Sequence, residues 1–316
     1  MKFTLRLSFL AGLAAAAALP VLGQIERIVE KSFSVQPGGT LRVSSFKGEI
    51  RVSPSNDGMV KITARQKIKA SSDAEADEFL RKLELTIVQS GSMVSAVANH
   101  EKAPFWTRLM REPWPPVSVD FIVTVPASFA TKLSTSGGMV LVDDMTGAVN
   151  VRSSEGHIYL RKMGGEVDAQ TSDGNMTLDE GHGRVRLATS RGSITVGRVM
   201  GSADISSSVG SIKVDVAGGT LRASTHAGTL IAGLLGPLAG ECVLSNSDGS
   251  VRVTVDKGAA FQLDAATSGG RVETEGIKLT AEKSNEKKTS VAGAANGGGP
   301  LLKIRTSDGD VSVKTR

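Results

Sequence analysis

The chain has 316 residues, of which 36 are glycine and only 4% are aromatic, and it carries one cysteine and a formal net charge of +5. A single cysteine excludes a disulfide framework and a cysteine-ligated zinc site, and a hydrophobic fraction of 40% excludes a chain that is disordered throughout. The core must therefore be made of Val, Ile, Leu and Ala, and the many glycines are expected at turns.

Residues 1–23 have the features of a secretory signal peptide. Lys2 and Arg6 make a short basic start, and the apolar run over 7–19 suits a signal while falling short of the roughly 20 residues that span a bilayer. Cleavage is expected before Gln24. The sequence therefore predicts export to the periplasm, the cell surface or the medium, with no transmembrane anchor after cleavage. The charge that remains is too small to favour nucleic acid as a partner.

Residues 24–133 are expected to form N-terminal strands and a small cap. Ser72 and Glu75 have the spacing of a capping box, and apolar residues follow at helical spacing, so the sequence predicts one amphipathic helix over 72–84. Because a solenoid must protect its end strands from edge-to-edge pairing, we interpret this helix-containing segment as an N-terminal cap.

The segment 104–116 contains both tryptophans of the chain among arginines and prolines. Two interpretations are open. As an exposed loop it would offer the residue types that dominate interface hot spots; alternatively, the rings point inward and close the first coil of a solenoid. On the first interpretation the candidate partner contacts are Phe105, Trp106, Arg108, Arg111 and Trp114.

Residues 134–316 contain an internal repeat. Glycine recurs every nine residues from 138 to 228, with apolar residues two and four positions after each one, and this alternation predicts strands with one buried face. A Ser/Thr pair precedes every second glycine, so the true period is 18. The sequence therefore predicts an all-β fold, a right-handed parallel β-solenoid with two strands per coil and about nine coils. The alternative, a β-sandwich, would not require a constant period.

Details of the coil follow from the same pattern. The corner glycines are expected to adopt positive φ, and the Ser/Thr hydroxyls are expected to bond turn amides. The residues three positions after alternate repeat glycines point outward and stack on one another in successive coils. They mostly alternate in charge, which predicts ion pairs between coils rather than catalytic acids. This charge column consists of Asn150, Asp168, Arg186, Asp204 and Arg222. Acidic turn residues are too isolated for a calcium-binding roll, and the Lys/Asn/Gly-rich segment 283–300 predicts a mobile surface loop.

The sequence predicts no catalytic, cofactor-binding or metal-binding residues. The four histidines lack ligand spacing, and Cys242 falls on an inward position, where it acts as a small apolar residue. Neither a nucleophile elbow nor a phosphate-binding loop is present. The protein is therefore predicted to be no enzyme and to use no cofactor.

Three segments carry a resemblance to a known family: residues 33–43 (FSVQPGGTLRV), 119–126 (VDFIVTVP) and 300–313 (PLLKIRTSDGDVSV), joined by Thr-Ser-Asp-Gly rungs. In this order and spacing the chain resembles, over nearly all of 24–316, the bacterial "putative adhesin" domains of unknown function, which are exported β-solenoids. The resemblance implies a cell-envelope or secreted location and an adhesion role, and it supplies no catalytic residues.

These observations together predict an exported, non-catalytic, adhesin-like protein of the cell envelope that binds an unknown protein or glycan. Two alternatives stay open. Parallel β-helices also host polysaccharide-active enzymes, which would need a cluster of carboxylates or basic residues in a groove. An envelope-stress or regulatory sensor is the third hypothesis. The sequence names neither the ligand nor the oligomeric state.

Overall fold

A computed structural model describes residues 23–100 and 116–316. They form two sheets, of 13 and 14 strands, and one helix. Residues 1–22 of the predicted signal peptide and the five candidate contacts within 104–116 lie outside the described residues, so both stay predictions. Within 23–100 and 116–316, no helix is long and apolar enough to cross a membrane.

The strands are given in their spatial order. Sheet A consists of β1 (Gly23–Ser34), β4 (Met59–Ala70), β7 (Val117–Pro126), β3 (Ile50–Ser55), β9 (Val140–Val142), β11 (Ile158–Met163), β13 (Met176–Gly181), β15 (Ile194–Val199), β17 (Ile212–Ala217), β19 (Leu230–Leu234), β21 (Val251–Val255), β27 (Val311–Thr315) and β23 (Val272–Glu275). Sheet B consists of β24 (Leu279–Ser284), β25 (Ser290–Ala295), β22 (Phe261–Thr267), β26 (Leu301–Asp308), β20 (Cys242–Asp248), β18 (Leu221–Ala227), β16 (Ala203–Val209), β14 (Val185–Arg191), β12 (Val167–Asp173), β10 (Val149–Glu155), β8 (Ala130–Gly137), β2 (Thr40–Ser45), β6 (Met93–His100) and β5 (Leu83–Ser90). The helix α1 is Asp73–Arg81.

Each solenoid coil gives one strand to each sheet, and successive coils of the repeat pair in parallel 18 residues apart. Val149 lies opposite Val167 in sheet B, and Ile158 lies opposite Met176 in sheet A. These inward side chains are buried between the sheets. The prediction of an all-β parallel solenoid with two-strand coils is therefore confirmed. All nine predicted coils form, and two more, β2–β3 and β6–β7, lie beyond β8–β9.

The glycines of the two corners differ in backbone conformation but share a close contact with the neighbouring coil. At the corner between sheet B and sheet A, Gly192 has a φ of +143°, where a side chain is strained. At the other corner, Gly201 does not have a positive φ; a Cβ there would lie 2.1 Å from the carbonyl oxygen of Gly183 in the coil below. The prediction of positive φ at every corner is therefore wrong for one corner. Close backbone stacking excludes a side chain at both, because a Cβ at Gly192 would likewise lie 2.1 Å from the carbonyl oxygen of Gly174.

The Ser/Thr pairs also differ from expectation. The first member of each pair points inward, and Thr189 Oγ1 donates to the carbonyl oxygen of Gly174 at 3.2 Å. The hydroxyl therefore donates to a carbonyl of the coil below. The predicted bond to a turn amide forms at Thr135 and Thr267, whose Oγ1 atoms accept from the Gly137 and Gly270 amides at 3.3 and 3.1 Å. Turn amides are also bonded by the residue after the glycine: the Ser193 amide donates to Asn175 Oδ1 at 2.8 Å.

The N-terminal end is closed by antiparallel strands and the helix. The Ser72 side chain caps α1 by accepting from the Glu75 amide, as predicted. The helix ends at Arg81 rather than at 84, because β5 begins at Leu83 and pairs with β6. Strand β1, which lies in the segment expected to form N-terminal strands, pairs antiparallel with β4 and is the outermost described strand of sheet A.

The C-terminal end is closed in a way that the repeat does not reveal. Strands β22 and β23 form the outermost coil, whereas β26 and β27, at the C-terminus, insert between that coil and β20–β21. The segment 283–300, predicted as a mobile loop, instead contains β25, which pairs antiparallel with β22. The prediction was wrong because the polar composition hid a buried alternation that includes Val291 and Ala295.

Arg316 fastens the C-terminus to the neighbouring coil. Its Nε donates to Asp256 Oδ1 at 2.5 Å, and the Gly236 amide donates to Asp256 Oδ2 at 2.9 Å. The side-chain hydrogen bond from Arg316 is the largest cause of the lowered pKa of Asp256, and the Gly236 amide adds to it.

A carboxyl group whose pKa is lower in the folded than in the unfolded state stabilises the fold above its unfolded pKa and loses this contribution as the pH falls through its folded pKa. We expect the Arg316→Ala variant to be less stable than wild type at neutral pH and to lose less additional stability between about pH 5 and pH 2. Urea unfolding across this range measures how the free energy of unfolding depends on pH in wild type and in the variant. The same pH dependence in both proteins would contradict the expectation.

Candidate functional site

The outer face of sheet B carries three columns of side chains, with one member of each column per coil. Outward positions alternate along a strand, so β10 contributes residues 150, 152 and 154, and the in-register pairing stacks each on its equivalent in the next coil. The first column is mostly charged, and the second is small in the middle of the rod. The third column is almost entirely serine: Ser136, Ser154, Ser172, Ser190, Ser208, His226, Ser247, Ser307 and Ser268.

Between β14 and β20 the second and third columns enclose a shallow trough of about 350 Å³. It exists because the second column is small there, while the neighbouring first column carries longer Arg and Asp side chains. Buried Thr189, Ser207 and Thr225 lie at its base. Its exposed and half-exposed lining is Ser206, Ser208, Ser224, His226, Ser245 and Ser247.

The hydroxyls at the base and those of the lining have different roles. Thr225 Oγ1 at the base donates to the carbonyl oxygen of Gly210 at 2.8 Å, so it serves the fold. The side-chain hydroxyls of the serines in the lining make no hydrogen bond to any described residue. Since a hydroxyl both donates and accepts, the trough offers a set of unused groups suited to a ligand rich in hydroxyls.

The charged column beside the trough alternates in sign along the sheet. Asp168, Arg186, Asp204 and Arg222 stack in register with alternating sign, as the sequence predicted. The nearest cation to Asp168 is nevertheless Arg152 of the preceding coil, whose Nη2 lies 2.8 Å from Asp168 Oδ2. Beside the trough itself, Arg222 pairs with Glu241 at 3.5 Å, whereas Arg186 and Asp204 make no ion pair with a described residue.

Two arginines in the second column stand beyond the ends of the trough, and both are held in the same way. Arg152 donates to the carbonyl oxygen and carboxylate of Asp168, and Arg305 donates to the carbonyl oxygen and carboxylate of Asp264. Arg305 lies in register with Ser245, the last small residue of the column. The two ion pairs therefore delimit the length of the trough.

The other groups considered in the sequence contribute no chemistry to this face. Cys242 points inward as predicted, and burial raises the pKa of its thiol, which keeps it protonated. Within the described ranges no group of three or more His, Cys, Asp or Glu side chains is placed to hold a metal ion.

Sequence reasoning did not identify the serines of the trough. For Ser208 the signal was the second position of the Ser/Thr pair, Ser207-Ser208, which had been assigned wholly to the turn; for Ser206, Ser224 and Ser245 it was the outward strand position just before the buried residue. Strand alternation separates the pair, because the first residue is buried and the second is exposed.

Comparisons with known proteins agree with the fold. Residues 164–314 match the family described as Toastrack DUF4097, which confirms the predicted resemblance to a bacterial domain of unknown function. No curated protein matches the chain significantly.

Similar solved structures include a putative adhesin from Bacteroides fragilis (12% identity, 92% of this chain and 97% of that chain, TM-score 0.38). A putative adhesin from Parabacteroides merdae is 12% identical over 92% of this chain and 96% of that chain, with a TM-score of 0.37. A putative cell adhesion protein from Clostridium sporogenes is 11% identical over 92% of this chain and 100% of that chain, with a TM-score of 0.27.

Proposed function

On the premise that residues 164–314 form a Toastrack DUF4097 domain, we propose that this protein is an exported, non-catalytic, adhesin-like protein of the cell envelope that binds a glycan on the outer face of sheet B. The basic start and apolar run of residues 1–23 support export.

The observation that carries the proposal is the set of unused hydroxyls in the trough. A sugar ring presents hydroxyls in several directions, and each needs a partner that can donate or accept. The serines repeat at about 4.8 Å, the spacing of neighbouring strands, which is close to the length of one sugar ring. A linear glycan that follows the rod axis therefore meets equivalent groups at successive rings.

The first test removes three of these hydroxyls at once. In the variant Ser206→Ala, Ser224→Ala and Ser245→Ala, each lost hydrogen bond is expected to cost about 1 kcal/mol, so the affinity for envelope polysaccharide should fall about a hundredfold. Sedimentation with purified envelope polysaccharide, or binding to a glycan array, measures the change. The fold should be retained, because the hydroxyls of these serines make no hydrogen bond to a described residue.

The matched control is Thr177→Ala and Thr195→Ala, which removes stacked hydroxyls from the outer face of sheet A. This variant should bind like wild type. Trp106→Ala and Trp114→Ala test the competing contact in 104–116. If these two variants lose binding while the triple serine variant keeps it, the ligand contacts the 104–116 segment and the trough proposal is wrong.

A further inference from the structure

The charge column of sheet B is not balanced along its whole length. From Asp168 to Arg222 the signs alternate, but towards the N-terminal end the column begins with Arg42 and Lys132, and Asn150 follows. Arg42 and Lys132 lie directly opposite each other in neighbouring parallel strands, which places their Cα atoms about 4.8 Å apart. Among the in-register pairs of the described strands, theirs is the one pair of stacked cations.

Neither cation is compensated by a described carboxylate. Arg42 and Lys132 are both exposed, and within 23–100 and 116–316 no carboxylate lies in ion-pair distance of either side chain. The other register neighbour of Arg42 is Ser95, which is uncharged. The nearest carboxylate along the columns, that of Asp168, already pairs with Arg152. Like charges opposed across a strand pair repel each other, so this position favours an added negative charge.

Hydroxyl groups stand next to the two cations. Ser44 and Ser134, two residues further along the same strands, are also opposed, and Ser134 Oγ donates to Ser44 Oγ at 3.0 Å. The Ser44 hydroxyl therefore accepts one hydrogen bond while its own proton has no acceptor among the described residues. The four residues together present a guanidinium, an ammonium and a free hydroxyl donor on one open face.

We propose that Arg42, Lys132, Ser44 and Ser134 bind a carboxylate or sulfate group of an acidic polysaccharide whose chain continues along sheet B into the serine trough. This inference rests on the proposed glycan-binding function and specifies its ligand class. From Lys132 in β8 to Ser206 in β16 the distance along the rod is about 19 Å at the strand spacing. A ligand that reaches both sites is therefore a polymer of several sugar rings that carries negative charge, not a free sugar.

The test uses the full mature chain with polygalacturonate and chondroitin sulfate, each compared with its neutral form, in which the carboxyl groups are reduced and the sulfates removed. The key variant is Arg42→Gln with Lys132→Gln. The matched control is Arg186→Gln with Lys303→Gln, which removes two cations from the same column where each faces an aspartate in register.

Wild type is expected to bind at least one acidic polymer tenfold or more tightly than its neutral form. The Arg42/Lys132 variant should lose that preference, and its affinity should depend less steeply on salt, while the Arg186/Lys303 variant keeps the preference. Inorganic phosphate serves as the free-anion probe, and it should compete only at far higher concentration than the polymer.

Three results would overturn the inference: no preference of wild type for an acidic polymer, an unchanged preference in the Arg42/Lys132 variant, or an equal loss in the Arg186/Lys303 variant. Failure of the underlying function has a different signature. If the serine triple variant binds both the acidic and the neutral polymer like wild type, the trough is not used. If the serine triple variant binds both polymers more weakly while the Arg42/Lys132 variant binds both like wild type, only the proposed anion site is wrong.

Discussion

Gly192→Ala is expected to lower the free energy of unfolding by about 3 kcal/mol, a large effect for the addition of one methyl group. The φ of +143° at Gly192 is strained for any residue with a Cβ, at a cost of about 1–2 kcal/mol. The added Cβ would also lie 2.1 Å from the carbonyl oxygen of Gly174, so two coils must separate. Because the strands on both sides depend on that stacking, the damage is not confined to the turn.

Two control substitutions separate these causes. Gly58 has a φ of +64° with nothing within 4 Å of an added Cβ, so Gly58→Ala reports strain alone. Gly201 does not have a positive φ but has the same close carbonyl contact, so Gly201→Ala reports stacking alone. Chemical denaturation of the three variants gives the comparison. If Gly192→Ala costs no more than Gly58→Ala, close stacking does not limit the corner.

Deletion of residues 301–316 is the second change with a large expected effect, namely loss of cooperative folding in the C-terminal third of the rod. The deletion removes β26 and β27, whose inward side chains Leu302, Ile304, Val311 and Val313 are fully buried. Each contributes about 2 kcal/mol through burial, and the sum is comparable with the total stability of a typical domain, about 5–15 kcal/mol. In addition, β22 and β23 lose their parallel neighbours.

Hydrogen exchange measures this effect strand by strand. In the deletion variant, amides of β22, β23 and β25 should exchange rapidly, although these strands are present in the chain. A shorter deletion, of residues 314–316 only, keeps all four buried side chains and should preserve protection in β22. If β22 stays protected without residues 301–316, the C-terminal strands do not support the outer coil.

The central coils could be predicted from the sequence because every element of them repeats. A glycine at a fixed interval, two inward apolar residues and a charge of alternating sign each depend only on the equivalent residue 18 positions away. For the same reason the column from Asp168 to Arg222 was predictable in register. Nothing distant in the chain was needed to place these residues.

The ends of the solenoid could not be predicted in this way, because neighbours in space are there far apart in the chain. Arg42 and Lys132 are opposed, yet 90 residues separate them, and the period of the repeat does not show that β2 lies against β8. The insertion of β26 between β20 and β22 is hidden for the same reason. The apolar pattern specifies which face of a strand is buried but not which strand lies beside it.

The serine trough could not be predicted from the sequence for a different physical reason. A Ser/Thr pair before a glycine is a common turn signal, and on that interpretation both hydroxyls belong to the turn. Only the alternation of the strand through the pair, which buries Thr189 and exposes Ser190, shows that one hydroxyl serves the fold while the next faces outward.

The different placement of the two chain ends makes the rod mechanically asymmetric. The first described strand, β1, pairs with β4 alone among the described strands, so we expect tension on it to break the bonds to β4 one after another. The final strands β26 and β27 have neighbours on both sides. A pull on the C-terminus must therefore shear several rows of hydrogen bonds simultaneously. Of these two parts of the described fold, we therefore expect β26 and β27 to resist tension better than β1.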